Sequence, residues 1–101
     1  MSKRSKACDI TPKVRQEVLR RDDRRCIVCG SIHNLQIAHY VSRARGGLGI
    51  PQNLVTMCVQ HHFDMDNGKY HKQLQKFVRE HLNECYKDWD EKELYYDKWK
   101  N

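Results

Sequence analysis

The sequence predicts a small α+β domain in which two short strands are stapled by a bound metal and flanked by helices. Two pairs of metal-ligand residues, Cys26-x-x-Cys29 and Cys58-x-x-His61, lie 29 residues apart. Short apolar runs next to these pairs predict the strands. Outside them, apolar residues recur with the i, i+3, i+4 spacing of helices.

Chain length and composition fit one domain, residues 1–101, with a modest core. Of its residues 32% are charged, and no stretch approaches the about 20 apolar residues of a membrane span. The N-terminal residues lack the apolar segment of a secretory signal, which favours a cytoplasmic protein. Five cysteines are an odd count that argues against a disulfide framework, so we expect reduced, partly buried thiols at Cys8 and Cys85.

The net charge of +6 is concentrated in the first half of the chain. Residues 1–50 hold 11 Lys/Arg and 4 Asp/Glu, whereas residues 51–101 hold 8 and 9. Such a basic region is either a solubilising surface or a binding surface for a polyanion. Arg43 and Arg45 lie in a glycine-rich loop and favour the second interpretation. We expect both to contact nucleic-acid phosphates.

Three regions are predicted along the chain: a basic flexible tail (1–9), a core (24–68) and a C-terminal helical segment (69–101). Between the first two, Thr11 followed by Pro12 predicts a helix start. Apolar residues on one face extend this helix to about Arg21. The basic run that closes it is either a solvated face or a phosphate contact, and comprises Arg20, Arg21, Arg24 and Arg25.

Within the core, a first predicted strand ends near His39, and a second strand lies over residues 54–57. Glycine and proline in residues 42–52 predict a loop between them, and a helix follows over residues 59–65. In the C-terminal segment, one helix is predicted by Leu74, Phe77, Val78 and Leu82, and another by Trp89, Leu94, Tyr95 and Trp99.

The two ligand pairs predict a closed, tetrahedral zinc site of the structural type. Its ligands are Cys26, Cys29, Cys58 and His61, although His33 or His62 could replace His61. A filled coordination shell leaves no position for chemistry. The polar residues near the site therefore need another explanation, and these are His39, Asn53 and His62.

The residues from the first pair onward resemble the HNH endonuclease family. The resemblance rests on residues 38–47 (AHYVSRARGG), on Asn53-Leu54 and on Cys58-x-x-His61-His62. It covers about residues 24–68 and is greatest for the small, stand-alone nucleases of phages and prophages. The residues that correspond to the family's motif are His39, Asn53 and His62.

This resemblance implies a ββα-metal fold, in which a two-stranded hairpin and one helix surround a single catalytic divalent ion (Mg²⁺, Mn²⁺, Ni²⁺ or Zn²⁺). It implies that His39 is the general base that deprotonates a water for attack on a phosphodiester, a role that suits a pKa of about 6.5. It also implies that Asn53 orients His39 and the loop through amide hydrogen bonds. His62 would then bind the catalytic ion.

One position departs from the family's pattern. Many members carry Asp or His directly before the general base as a metal ligand, whereas Ala38 offers no ligand atom. Asp66, four residues after His62, would lie on the same face of a helix, and we predict that it replaces the missing ligand. Asp64 would point to another face.

The resemblance therefore predicts a hydrolase, a metal-dependent endonuclease or nickase that acts on double-stranded DNA in a bacterial host cell. So short a chain has little surface for the base contacts that specify a site, so we expect low sequence specificity. Two alternatives remain open: a zinc-stapled DNA-binding module without activity, or an accessory subunit of a phage packaging terminase. We expect a monomer or weak dimer without membrane contact.

Overall fold

The computed structural model describes residues 2–99, which form a two-stranded sheet between helices. The elements in chain order are α1 (Lys3–Cys8), α2 (Pro12–Arg21), β1 (Leu35–His39), β2 (Leu54–Cys58), α3 (Val59–Asn67) and α4 (His71–Cys85). Short 3-10 helices cover Arg43–Arg45, Pro51–Asn53 and Glu91–Leu94. The α+β class with a ββα core and flanking helices is thus confirmed. Within residues 2–99, no helix is both long and apolar enough to span a bilayer.

The two strands pair in antiparallel register and separate two apolar clusters. Leu35 lies opposite Cys58, and His39 lies opposite Leu54. One cluster joins the sheet to α2 and contains Val18, Leu19, Ile37 and Leu54. The other joins it to α3 and α4 and contains Cys26, Ala38, Val55, Met57, Met65, Leu74, Val78 and Leu82. Because β1 rises about 3.3 Å per residue, its two ends lie about 13 Å apart.

Helix α2 begins and ends where the sequence predicts. Thr11 precedes the first turn, and its side-chain oxygen accepts a hydrogen bond from the Val14 backbone N–H at 3.2 Å. Pro12 occupies the first helical position, where its missing N–H leaves no bond unmade. Val18 and Leu19 are buried against the sheet.

The flexible tail predicted for residues 1–9 is wrong, because Lys3–Cys8 form α1. The side chain of Ser2 caps this helix, and Cys8 at its end is 2% exposed. The Gly49 backbone N–H donates to the Ala7 carbonyl at 2.9 Å. A Cβ at Gly49 would overlap the Asp9 carbonyl, so a glycine is needed for this close approach. A six-residue helix is too short to show periodicity, and tertiary contacts stabilise it. Met1 lies outside the described residues.

The C-terminal segment is helical only in part. Helix α4 matches the prediction, but in the described chain after Cys85 the only helix is the 3-10 turn Glu91–Leu94, so the second predicted helix is wrong. Tyr95 instead pairs with Gly47 as an isolated antiparallel bridge, and Tyr96 N–H donates to the Gly46 carbonyl at 2.7 Å. This pairing with the loop after β1 keeps the backbone extended. Residues 100–101 lie outside the described residues.

A buried ion pair at the end of α2 connects the helices to the sheet. Arg21 and Asp22 form two parallel N–H···O bonds of 2.9 Å, and the Asp22 side chain has no exposed surface. Asp22 also accepts from Thr56 N–H and from His81 Nε2, each at 2.9 Å. Arg21 donates to the carbonyls of Pro51 and Leu54. The basic run was predicted to be a solvated face or a phosphate contact. Arg21 is neither, because its guanidinium is bonded to interior groups.

Asp22→Asn should destabilise the fold. Desolvation raises the pKa of Asp22, but its bonds to His81, Arg21 and Thr56 prevail and bring the pKa to about 2. A depressed pKa stabilises the fold above the unfolded pKa of about 3.9, and this stabilisation is lost as pH falls through about 2. Breaking such a pair costs about 3–5 kcal/mol in urea denaturation at neutral pH.

Asp23→Asn is the matched control for this measurement. Asp23 is exposed and has a φ of 57°, which asparagine also tolerates. Equal urea midpoints for the two variants would contradict a structural role for Asp22.

Candidate metal centre and active site

The two ligand pairs converge at the end of the hairpin where β2 meets α3. The three cysteine sulfurs and one histidine nitrogen all lie within 4.8 Å of one another. His61 Nδ1 is 3.3 Å from Cys58 Sγ and 3.7 Å from Cys26 Sγ, and Cys29 Sγ is 3.9 Å from Cys58 Sγ. A tetrahedral zinc with bonds of about 2.3 Å to sulfur and 2.0 Å to nitrogen needs S–N separations of about 3.6 Å and S–S separations of about 3.8 Å. These four donors could therefore hold a structural zinc.

Of the three histidines near the motif, His61 completes this cluster, whereas His33 and His62 do not. Cys58 precedes the first turn of α3, so His61 lies in that turn close to its sulfur. Burial raises the pKa of the Cys26 thiol, but backbone N–H groups stabilise the thiolate and bring its pKa down to about 7. A thiolate is the form that binds zinc.

His39 lies at the opposite end of β1, beside a cavity of about 450 Å³. The cavity is also lined by Ile10, Ile37, Ser42, Arg43, His62 and Asp66. His39 Nε2 lies 2.9 Å from the Cys8 carbonyl oxygen at the end of α1. Because a carbonyl only accepts, Nε2 carries the proton and Nδ1 retains its lone pair. No sequence signal could have found this partner, since it is a backbone group.

The environment of His39 keeps its imidazole neutral. Burial is the largest effect and lowers the pKa of His39 below its usual value. The carbonyl of Cys8 raises the pKa, whereas the positive charge of Arg43, and that of His62 when it is protonated, lowers it further. The balance is a lowered pKa, so His39 is an unprotonated proton acceptor at neutral pH.

Asn53 is fully buried directly before β2, and its side chain closes the loop after β1. Its Oδ1 accepts from Val41 N–H at 2.8 Å, and its Nδ2 donates to the carbonyls of Val41 and Leu48 at 3.1 and 2.9 Å. The predicted role for Asn53 joined two tasks, holding the loop and holding His39. These three bonds perform the first task, while the His39 ring is held by the carbonyl of Cys8.

His62 and Asp66 lie on one face of α3 and line the same cavity as His39. His62 Nε2 is 3.3 Å from Asp66 Oδ2, and His62 Nδ1 is 2.7 Å from Gln36 Oε1. Since Gln36 Oε1 only accepts, His62 Nδ1 donates and Nε2 faces Asp66 with a lone pair. Two ligands of an octahedral ion with bonds of about 2.1 Å lie about 3.0 Å apart. The pair therefore fits one divalent ion, or an ion pair when His62 is protonated.

Two side chains of β1, Ala38 and Gln36, differ in their relation to this pair. Ala38 is fully buried in the cluster with Val55 and Met65, so it belongs to the core. The sequence did not predict a role for Gln36, because an exposed polar residue in a strand gives no sign of its contact with a side chain of α3. A partner that orients a metal-binding histidine through its other nitrogen is a common feature of metal sites.

The two arginines of the loop lie in different surroundings. Arg43 Nη1 donates to the Cys8 carbonyl at 2.8 Å, and Arg43 Nη2 lies 2.6 Å from Asp9 Oδ1. Arg43 thus connects the loop to the end of α1, at the edge of the His39 cavity. Arg45 points elsewhere, with its guanidinium carbon 5.7 Å from the centre of the Tyr95 ring.

No protein-family model matches the chain, and no curated protein matches it. Among solved structures, it is similar to the type IV phosphorothioation-dependent restriction endonuclease ScoMcrA, with a TM-score of 0.64 and 22% sequence identity. The match covers 78% of this chain and 18% of that chain. At this identity the likeness shows the fold, which is the nuclease-like fold predicted from the sequence. The chain spans less than a fifth of the length of this neighbour.

Cys58→Ser should remove the bound zinc and unfold the domain. Binding of a structural zinc contributes about 10–16 kcal/mol, which is comparable to or larger than the whole stability of a small domain. Zinc content by atomic absorption and thermal unfolding by circular dichroism measure both effects. Cys85→Ser is the control, because Cys85 is exposed and lies outside the cluster. A zinc-free Cys58→Ser protein with the thermal stability of the control would show that the cysteines only pack.

Proposed function

We propose that this protein is a metal-dependent DNA endonuclease or nickase of the HNH type. The observation that carries the proposal is the cavity that His39 shares with His62 and Asp66. It combines a neutral base with a pair of side chains spaced to bind one divalent ion. This is the set of groups that phosphodiester hydrolysis requires.

His39 acts as the general base in this proposal. Its Nε2–H bond to the Cys8 carbonyl fixes the tautomer, so Nδ1 takes the proton from the attacking water. The positive charge that His39 then acquires lies next to the Cys8 carbonyl, whose negative end stabilises it. Asn53 contributes by holding the loop that borders the cavity.

His62 and Asp66 would hold the catalytic ion, and Gln36 would orient His62. When bound, the ion neutralises the scissile phosphate and stabilises the leaving oxygen. A mixed nitrogen and carboxylate site favours ions that accept imidazole, such as Mn²⁺ or Ni²⁺, over Mg²⁺. Ala38 leaves this site with two protein ligands, so water and phosphate oxygens would complete the coordination.

The charge and the limited surface of the chain favour binding to DNA without recognition of its sequence. A net charge of +6 supports binding to DNA phosphates, which carries no sequence information. We therefore propose low intrinsic specificity for double-stranded DNA. The resemblance to stand-alone phage nucleases makes a packaging terminase the candidate partner that would direct cleavage.

His39→Ala should abolish cleavage without loss of zinc. Removal of a general base lowers the rate by about 10²- to 10⁴-fold. Nicking of a supercoiled plasmid in Mn²⁺ measures the rate, and His33→Ala is the control because His33 is exposed and outside both sites. A folded His39→Ala protein that retains more than about a tenth of the wild-type rate would exclude His39 as the base.

Asp66→Ala should raise the Mn²⁺ concentration needed for half-maximal cleavage, and His62→Ala should raise it further. Loss of a partner that only orients a ligand already costs about 10- to 100-fold in metal affinity, and we expect at least that from a ligand. Asp64→Ala is the matched control, since Asp64 lies on the same helix and bonds to Gln60. If the Asp66 and Asp64 variants titrate alike, the second ligand lies elsewhere.

A further inference from the structure

A second cavity, of about 580 Å³, combines basic and aromatic side chains. It forms where the start of α1, the loop after β1 and the chain beyond residue 91 meet. Four basic, three aromatic and one acidic side chain line it, and we call it the C-terminal groove. Its volume lies within the range of about 300–1,000 Å³ found for ligand-binding clefts.

The groove carries an excess of positive charge. Its basic residues are Arg4, Arg45, Lys92 and Lys98, and its acidic residue is Asp97. The Arg4 guanidinium donates to the Ala44 carbonyl at 2.8 Å, and the Arg45 guanidinium lies over the Tyr95 ring. Both contacts position a guanidinium without neutralising its charge. The groove therefore fits an anion with several charges, such as a nucleic-acid backbone.

The aromatic side chains narrow the choice of ligand. Trp99 is 85% exposed, so its ring adds little to the core. Lys98 Nζ lies 4.9 Å from the centre of this ring. A flat exposed ring beside several cations is the combination that binds unpaired nucleotides, with the base stacked on the ring and its phosphates on the cations. A base paired inside a duplex offers no free face for such stacking.

The groove lies next to the His39 cavity. Arg43 lines the cavity and Arg45 lines the groove, and their Cα atoms are at most about 7 Å apart along the chain. Along α1, Arg4 of the groove is one helical turn, or about 6 Å, from Cys8, whose carbonyl binds His39. A DNA strand that left the cavity along the 3-10 turn Arg43–Arg45 would therefore reach the groove within one or two nucleotides.

We propose that the C-terminal groove binds an unpaired stretch of DNA strand beside the bond that is cut. A base stacks on Trp99, and the adjacent phosphates bind Arg45, Lys92 and Lys98. This inference rests on the proposed endonuclease function and narrows its substrate to DNA that is unpaired next to the cut, as at a flap, gap or fork.

The test measures DNA binding by the full chain with its zinc but without a catalytic divalent ion. Fluorescence anisotropy compares a labelled oligothymidine of about 12 nucleotides with a duplex of equal length at fixed salt. Trp99→Ala should weaken single-strand binding by about 5- to 150-fold, the loss of one stacked base, and leave duplex binding nearly unchanged. Trp99→Phe, which keeps a ring, should restore most of the affinity.

Tyr70→Ala is the matched control for this experiment. Tyr70 is 54% exposed, and Lys69 Nζ lies 5.3 Å from its ring centre, but this pair lies outside the groove. The proposal is overturned if Trp99→Ala binds the single strand like wild type, or if Tyr70→Ala loses as much affinity.

Cleavage assays on a supercoiled plasmid and on a flap substrate, with the same proteins, separate this proposal from the proposed function. Single-strand binding that depends on Trp99, in a protein that cuts no DNA under any divalent ion, supports the groove and rejects the endonuclease. Cleavage by wild type without such binding rejects the groove alone.

Discussion

The long connection between two very short strands is the constraint on which the rest of the structure depends. A two-stranded sheet of five-residue strands is marginal by itself, and residues 40–53 must be closed between them. The four-ligand cluster holds one end of the hairpin, and the Asn53 side chain holds the other with three hydrogen bonds. The cluster and the Asn53 hydrogen bonds each join segments that are distant in sequence. Together they compensate for the small core of a domain of this size.

The four-ligand cluster and the His39 cavity lie at opposite ends of β1. A zinc ion held by these four ligands would have a filled coordination shell, so the polar groups at the far end would remain available for another role. There, the properties of His39 depend on a backbone carbonyl and on burial. The site therefore depends on elements outside the sequence motif. A change in α1 that moved the Cys8 carbonyl would alter the tautomer of His39 without touching any motif residue.

The parts of the structure that the sequence predicted are those with short-range signals. Ligand pairs, the Thr11-Pro12 cap and the apolar runs of the two strands each act over a few residues, and each appears where expected. The errors fall on α1 and on the chain after α4. Their conformations are set by contacts with the loop after β1, at Gly49 and Gly47, and such contacts leave no local pattern. Likewise, nothing in the sequence connects Gln36 to His62.

The segments that the sequence did not predict, α1 and the chain after α4, both meet the loop after β1. In the proposed function, the hairpin and α3 supply groups that would hydrolyse any phosphodiester, so they offer little means of discrimination. Helix α1 and the chain after α4 instead pack on residues 43–49 and line the surface beside the His39 cavity. DNA bound in the His39 cavity, as proposed, would lie beside this surface. Selectivity for one DNA structure over another is therefore expected to reside in the side chains of these flanking segments that line the groove, none of which is a ligand of the four-residue cluster.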